Sequence, residues 1–119
     1  MRPLVYIAGP YSKPDPVENT HEAVRVATAL LDDGRCAPVV PHTTLLWHLI
    51  TPRPYDTWLA LDLDVLARCD VLLRLPGESS GADGEVEFAR AHGIPVAFDV
   101  AYLLDWVETW SPAAGWSTK

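Results

Sequence analysis

Residues 75–96 read LPGESSGADGEVEFARAHGIPV. The stretch contains a complete loop–helix–strand connection, and that connection decides the fold. The small residues Ser79, Ser80 and Gly81 lead into a helix predicted over Ala82–His92, Gly93 stops it, and Pro95–Phe98 reads as a strand. Glu85 is expected in the opening turn, where unpaired backbone N–H groups favour the ionised carboxylate. The ionised form is the one a nucleophile needs. Acids also gather at helix starts for stability alone, so a chemical role for Glu85 depends on the rest of the chain.

The same alternation continues on both sides. Asp70–Leu75 (DVLLRL) is a strand, preceded by a helix over Tyr55–Arg68 with Asp56 as its expected N-cap and Leu59, Leu63, Leu66 and Ala67 on its buried face. Leu4–Ala8 (LVYIA) is a buried strand ended by Gly9-Pro10. A helix follows over Pro16–Asp33, with apolar residues at Val17, Ala23, Val24, Ala27, Leu30 and Leu31 and Gly34 as C-cap. Ala37–Val40 is a further strand, Thr43–Leu49 a short helix and Ala101–Trp110 the last helix. Residues 111–119 (SPAAGWSTK) read as a loose tail. Apolar strands alternating with helices predict a single α/β domain over residues 1–119. Its architecture is a doubly wound parallel sheet flanked by helices, Rossmann-like or flavodoxin-like.

Composition narrows the function classes. A net charge of -7 argues against nucleic acid as a partner, because such binders need a basic footprint. No apolar run approaches the ~18 residues of a membrane helix, and no long apolar signal segment opens the chain. Cys36 and Cys69 read as reduced, buried thiols, which points to the cytoplasm. Five tryptophans are many for 119 residues. Trp106 and Trp110 are four apart on one helical face, which predicts a dimer-based homo-oligomer.

In doubly wound sheets the ligand crevice lies beyond the carboxyl ends of the strands. The segments placed there are Gly9 to Lys13, Pro41 to Thr44 and Pro76 to Gly84. Glu85 and a second acid from the preceding helix form a pair of the kind that cleaves glycosidic bonds. Asp62 and Asp64 both compete for that second place. They point about 200° apart, and periodicity alone leaves the choice open. Tyr6 is either a core aromatic or a partner of Glu85. His42 and His48 lack a third ligand of convincing spacing, so no metal is expected. G-x-S-x-G, G-x-G-x-x-G and Walker loops are all missing from the sequence.

Four segments in order, VYIAGPY, PVVPH, DLDVLARCDVLL and SSGADGEVEFARAHGIPV, resemble the nucleoside 2-deoxyribosyltransferase superfamily, which includes nucleoside deoxyribosyltransferases and nucleoside 5′-monophosphate N-glycosidases. The resemblance spans residues 4 to about 98. It implies that Glu85 attacks the anomeric carbon, that Asp62 protonates or holds the base, and that Tyr6 orients Glu85. It further implies a small-molecule nucleoside or nucleotide as partner, no cofactor, and binding by Gly9, Tyr11, His42, Ser79 and Gly81. Where the family's phosphate binders carry a serine and an arginine after the first strand, this chain has Pro10 and Ser12 followed by Lys13. Ser12 and Lys13 thus become the substrate-binding candidates of that loop. Two other functions fit the fold class. One is a non-catalytic nucleotide sensor. The other is a nucleotide phosphoribohydrolase, whose P-G-G-x-G-T-x-x-E loop LPGESSGADGE matches only in part.

Overall fold

The computed structural model describes residues 1–112. In its first strand, β1 (Leu4–Ala8), side chains alternate between two faces, and Val5, Tyr6, Ile7 and Ala8 are all fully buried. Val5 and Ile7 share a core with Ala23, Val26 and Leu30 of α1 (Pro16–Asp33) and with Leu103 and Val107 of α5 (Val100–Thr109). Tyr6 and Ala8 share the opposite core with Leu66 of α3 (Tyr55–Leu66) and with Ala82, Val86 and Ala89 of α4 (Ser80–Ala91). A short α2 (Thr44–Ile50) follows the 3-10 turn Pro41–Thr43.

The remaining strands are β2 (Ala37–Val39), β3 (Val71–Arg74) and β4 (Val96–Ala97). All pairings are parallel, and the order is β2-β1-β3-β4. The chain winds to one side of β1 through α1 and then crosses to the other side for β3 and β4. The predicted doubly wound α/β domain is therefore the one observed, with its switch point between β1 and β3, where Tyr6 pairs with Leu72 and Ala8 with Arg74.

Local chemistry sets the helix ends. Asp15 caps α1 by accepting from the Val17 N–H, and Gly34 closes it at φ 85°. Ser79 caps α4 by accepting from the Ala82 N–H at 3.0 Å, so this helix begins at Ser80, two residues before its predicted start. Asp56 is not the N-cap of α3. Pro54, with its fixed φ of -58°, leads the chain into the helix at Tyr55, and Asp56 falls inside the first turn.

Trp106 packs against the α1/α5 core, and Trp110 is half-buried at the end of α5. Both are thus largely accommodated within one copy. Trp116 and most of the predicted tail lie outside the described residues. The large apolar side chains left exposed include Leu46, Trp47, Leu49 and Ile50 of α2. Cys36 and Cys69 are buried and free. Among the described residues, no helix is long and apolar enough to cross a membrane.

Candidate active site

A crevice opens beyond the carboxyl ends of β1 and β3. The two strand ends meet closely there: a Cβ on Gly9 would stand 3.1 Å from that of Leu75. On the β1 side it is lined by Gly9 and Tyr11, and across from them by Pro41, His42 and Thr44. Helix α3 contributes Tyr55, Trp58, Leu59 and Asp62, while α4 and its cap contribute Ser79, Gly81, Ala82 and Glu85. Asn19 steadies the β1–α1 loop by donating to the carbonyls of Tyr11 and Lys13, both at 2.9 Å.

Glu85 forms the floor. It lies in the second turn of α4, not in its opening turn, because the Ser79 cap starts the helix at Ser80. Asp83 is the acid of the first turn. The field of unpaired N–H groups falls off within that turn. Burial therefore dominates at Glu85 and raises its pKa above the ordinary carboxylate value, with a Tyr6 hydrogen bond and the charge of Arg74 acting in the opposite direction. The Tyr6 hydroxyl donates to Glu85 Oε2 from the strand beneath. Burial and the nearby carboxylates push the Tyr6 pKa far upward, so it remains a donor.

Asp62 faces the same crevice, whereas Asp64, two residues on, is exposed on the far side of α3. Burial, then the charge of Glu85, raises the Asp62 carboxyl to about 7. The two acids titrate as a coupled pair. Glu85 has a hydroxyl donor and a cation to stabilise its anion, and Asp62 has neither among the causes of its shift. The arrangement therefore favours an ionised Glu85 beside a protonated Asp62.

His42 is buried, and its Nε2 stands 2.9 Å from the Pro10 carbonyl. A carbonyl only accepts, so Nε2 carries the proton. Burial lowers the pKa and keeps the ring neutral. The ring meets Tyr11 edge-on at 5.9 Å. Of the residues singled out from sequence, Glu85, Asp62, Gly9, Tyr11, His42, Ser79 and Gly81 line the crevice, with Tyr6 directly behind Glu85. Ser12 and Lys13 do not: both are exposed and lie outside the lining. The Ser79 hydroxyl is engaged by the Ala82 N–H as the helix cap.

Sequence reasoning missed Tyr55, Trp58 and Arg74. The first two were accessible, since Tyr55, Trp58, Leu59 and Asp62 stand at i, i+3, i+4 and i+7 and so share one helical face. Trp58 is held by an indole N–H donated to His48 Nδ1 at 2.8 Å and by edge-on packing with Trp47. Among the described residues, no three His, Cys, Asp or Glu side chains are placed to share a metal ion.

Residues 3–99 match the sequence model of a family described as "Domain of unknown function (DUF7768)". No curated protein matches the chain. Among solved structures, a 2-desoxiribosyltransferase from Leishmania mexicana shares the fold with a TM-score of 0.59 at 22% identity. The match covers 79% of this chain and 61% of that one, so this chain spans less than two thirds of the transferase's length.

Proposed function

The chain belongs to the family of the domain of unknown function DUF7768, which is described without an activity, and from the chemistry of its site we propose that it cleaves the N-glycosidic bond of a nucleoside and passes the sugar to another base or to water. The observation that carries this reading is the pair of carboxylates in one crevice, one supported as an anion by Tyr6 and the other held near neutrality at about 7. Two acids with environments that push their titrations apart are suited to nucleophile and general acid. The likeness of fold to a 2-desoxiribosyltransferase is consistent with it.

In the proposed reaction a Glu85 carboxylate oxygen attacks the anomeric carbon. The bond from that carbon to the base nitrogen breaks, its electron pair leaves with the base, and Asp62 gives the base a proton. The product of this half is a sugar ester on Glu85. In the second half an incoming base or water attacks the same carbon, Asp62 takes up its proton, and Glu85 leaves as carboxylate. Tyr6 holds Glu85 in line throughout. Tyr11, Tyr55 and Trp58 are the aromatic side chains available to a planar base, and His42 and Ser79 line the same crevice.

We place a free nucleoside ahead of a monophosphate as substrate. The acidic groups lining the crevice are Asp62 and Glu85, and a phosphate dianion beside them needs cations to offset its desolvation. Lys13 lies outside the lining, and the Arg74 guanidinium is held by carbonyls and Asp83. The lean towards a deoxy sugar comes from the family resemblance. The test is incubation with deoxynucleosides, ribonucleosides and their monophosphates, followed by mass spectrometry for free base and for a sugar-sized mass gain on the peptide holding Glu85. Binding without base release across the panel would favour the sensor reading. Activity confined to monophosphates and lost in Lys13→Ala would overturn the preference for a free nucleoside.

A further inference from the structure

Arg74 is a charged residue that neither the sequence motifs nor the crevice lining draws attention to. It ends β3 and is buried, with a side chain 9% exposed. In β3, Leu72 packs in the α3/α4 core and Leu73 in the α1/α5 core. Alternation therefore turns Arg74 to the same face as Leu72 and as Tyr6 of the neighbouring strand. Its guanidinium reaches forward along the chain. Nη1 donates to the Leu75 carbonyl, and Nη2 donates to the Gly77 carbonyl at 2.9 Å and to Asp83 Oδ1 at 3.0 Å. Gly77 is itself seated against Pro10, whose ring would lie 2.8 Å from any Cβ placed there. One side chain thus ties together the end of β3, the loop before the Ser79 cap and the first turn of the helix that carries Glu85.

We infer that Arg74 is the positioning residue of this site: it fixes the loop and first turn that aim Glu85, and it supplies the buried positive charge that faces Glu85. Burying a guanidinium is costly unless it is paired and hydrogen-bonded. Here two of the three bonds go to uncharged carbonyls, and the one ion-pair partner, Asp83, has a side chain 71% exposed. The charge is thereby offset mainly by an exposed acid, and it acts on Glu85 in the direction that favours the anion. The titratable and charged groups around Glu85 come from β1 (Tyr6), α3 (Asp62), β3 (Arg74) and its own helix (Asp83), and of these Tyr6 and Arg74 favour its anion. Arg74 is the cation among them, and its charge works against the burial that raises the Glu85 titration.

The part this plays in turnover rests on the glycosyl-transfer reading above; its effect on the Glu85 carboxyl does not. The experiment is accordingly a carbon-13 NMR titration of glutamate side chains in the full chain without substrate, with Glu85→Gln identifying the signal. Arg74→Met is expected to move the Glu85 midpoint up by roughly one pH unit, the low end of the effect of an adjacent arginine on a carboxylate. Arg74→Lys should restore most of the shift, because it keeps the charge and loses only the fork. Asp83→Asn leaves Arg74 in place without its exposed counter-charge and should move the midpoint down. An unchanged midpoint in Arg74→Met overturns the inference. If that variant fails to fold, Asp83→Asn and Arg74→Lys decide: no downward shift in the first, or a Lys midpoint displaced by a full unit, overturns it equally. Should a substrate be found, Arg74→Met is expected to lower kcat about tenfold with little change in KM, because the loop and first turn that aim Glu85 lose their tie. A normal midpoint shift with no turnover on any nucleoside would leave Arg74 standing and remove the glycosyl-transfer reading instead.

Discussion

The two faces of the sheet are built from the same strands and do different work. On the α1/α5 face, Val5, Ile7, Val71 and Leu73 pack in an apolar core with Ala23, Val26, Leu103 and Val107. On the α3/α4 face, the same strands present Tyr6 and Arg74 among Ala8 and Leu72, and the helices above bring Asp62 and Glu85 to meet them. The first face is a store of stability; the second gives up part of its apolar contact to hold two carboxylates, a phenol and a guanidinium. A strand with period two can serve both ends at once, since neighbouring residues are not neighbours in chemistry. Substitutions one residue apart should therefore have unrelated consequences, and that expectation can be broken.

The largest contrast is expected on α4. Glu85→Ala should lower base release by about a thousandfold or more, the order expected on losing a nucleophile. Glu87→Ala, on the exposed side of the same helix, should stay within a few-fold of the unaltered protein in the same assay. Comparable losses in both would mean that the crevice is not the reacting site.

A smaller contrast is expected on α3. Asp62→Asn should reduce turnover about a hundredfold, the usual scale for removing a general acid, while Asp64→Asn should have little effect. A larger effect at Asp64, measured as kcat, would place the working face of α3 on its opposite side.

On β1 the two faces can be compared directly. Ile7→Val should cost about 1 kcal/mol in a urea melt and leave turnover unaltered. Tyr6→Phe should leave the melt nearly unchanged and lower turnover about tenfold, because Glu85 loses the hydroxyl that orients it. If Tyr6→Phe behaved like Ile7→Val, the hydroxyl would be a structural bond and no more.

The mildest effect is on stability against pH. The Asp62 carboxyl sits at about 7 in the folded chain against an ordinary 3.8, so the folded state binds the proton more tightly than the unfolded one. Stability contributed by this group is full below pH ~4 and is lost as pH rises towards ~7. Asp62→Asn should therefore gain about 1 kcal/mol relative to the unaltered protein between pH 4 and pH 8, a value discounted for the solvent-facing part of the group. Thermal melts at both pH values would read this as a few degrees, and an equal difference at the two would show that Asp62 is not held protonated.

Much of this architecture was legible in the residues. Apolar runs bounded by Gly and Pro marked the four strands, and Gly34 marked the end of α1 because the positive φ there suits glycine. Glu85, Asp62 and Tyr6 were singled out together by the family resemblance, since periodicity left Asp62 and Asp64 open and Tyr6 readable as a core aromatic. What was missed has local causes. The small residues of SSGADG disguised the first turn of α4 as loop, which put Glu85 too near the helix start. A single arginine in DVLLRL read as an incident in a strand, since only the paired strand and the following loop reveal what it holds. Tyr55 and Trp58 share the helical face of Leu59 and Asp62, but aromatics on an apolar stripe read as core before they read as a binding surface. Ser12 and Lys13 were placed by correspondence with the family's phosphate-binding loop, and here both are exposed and outside the crevice lining.

The Ser79 cap also makes a ruler. A residue added before it, among positions 76–78, only lengthens a connection, and loops absorb such changes at small entropic cost. A residue added between Ser79 and Glu85 leaves the cap, the helix and its composition intact yet turns the carboxylate by about 100° and advances it by about 1.5 Å, out of reach of Tyr6. Relatives that differ in length ahead of the cap can keep the same chemistry, whereas the count from cap to acid is fixed by the helical repeat.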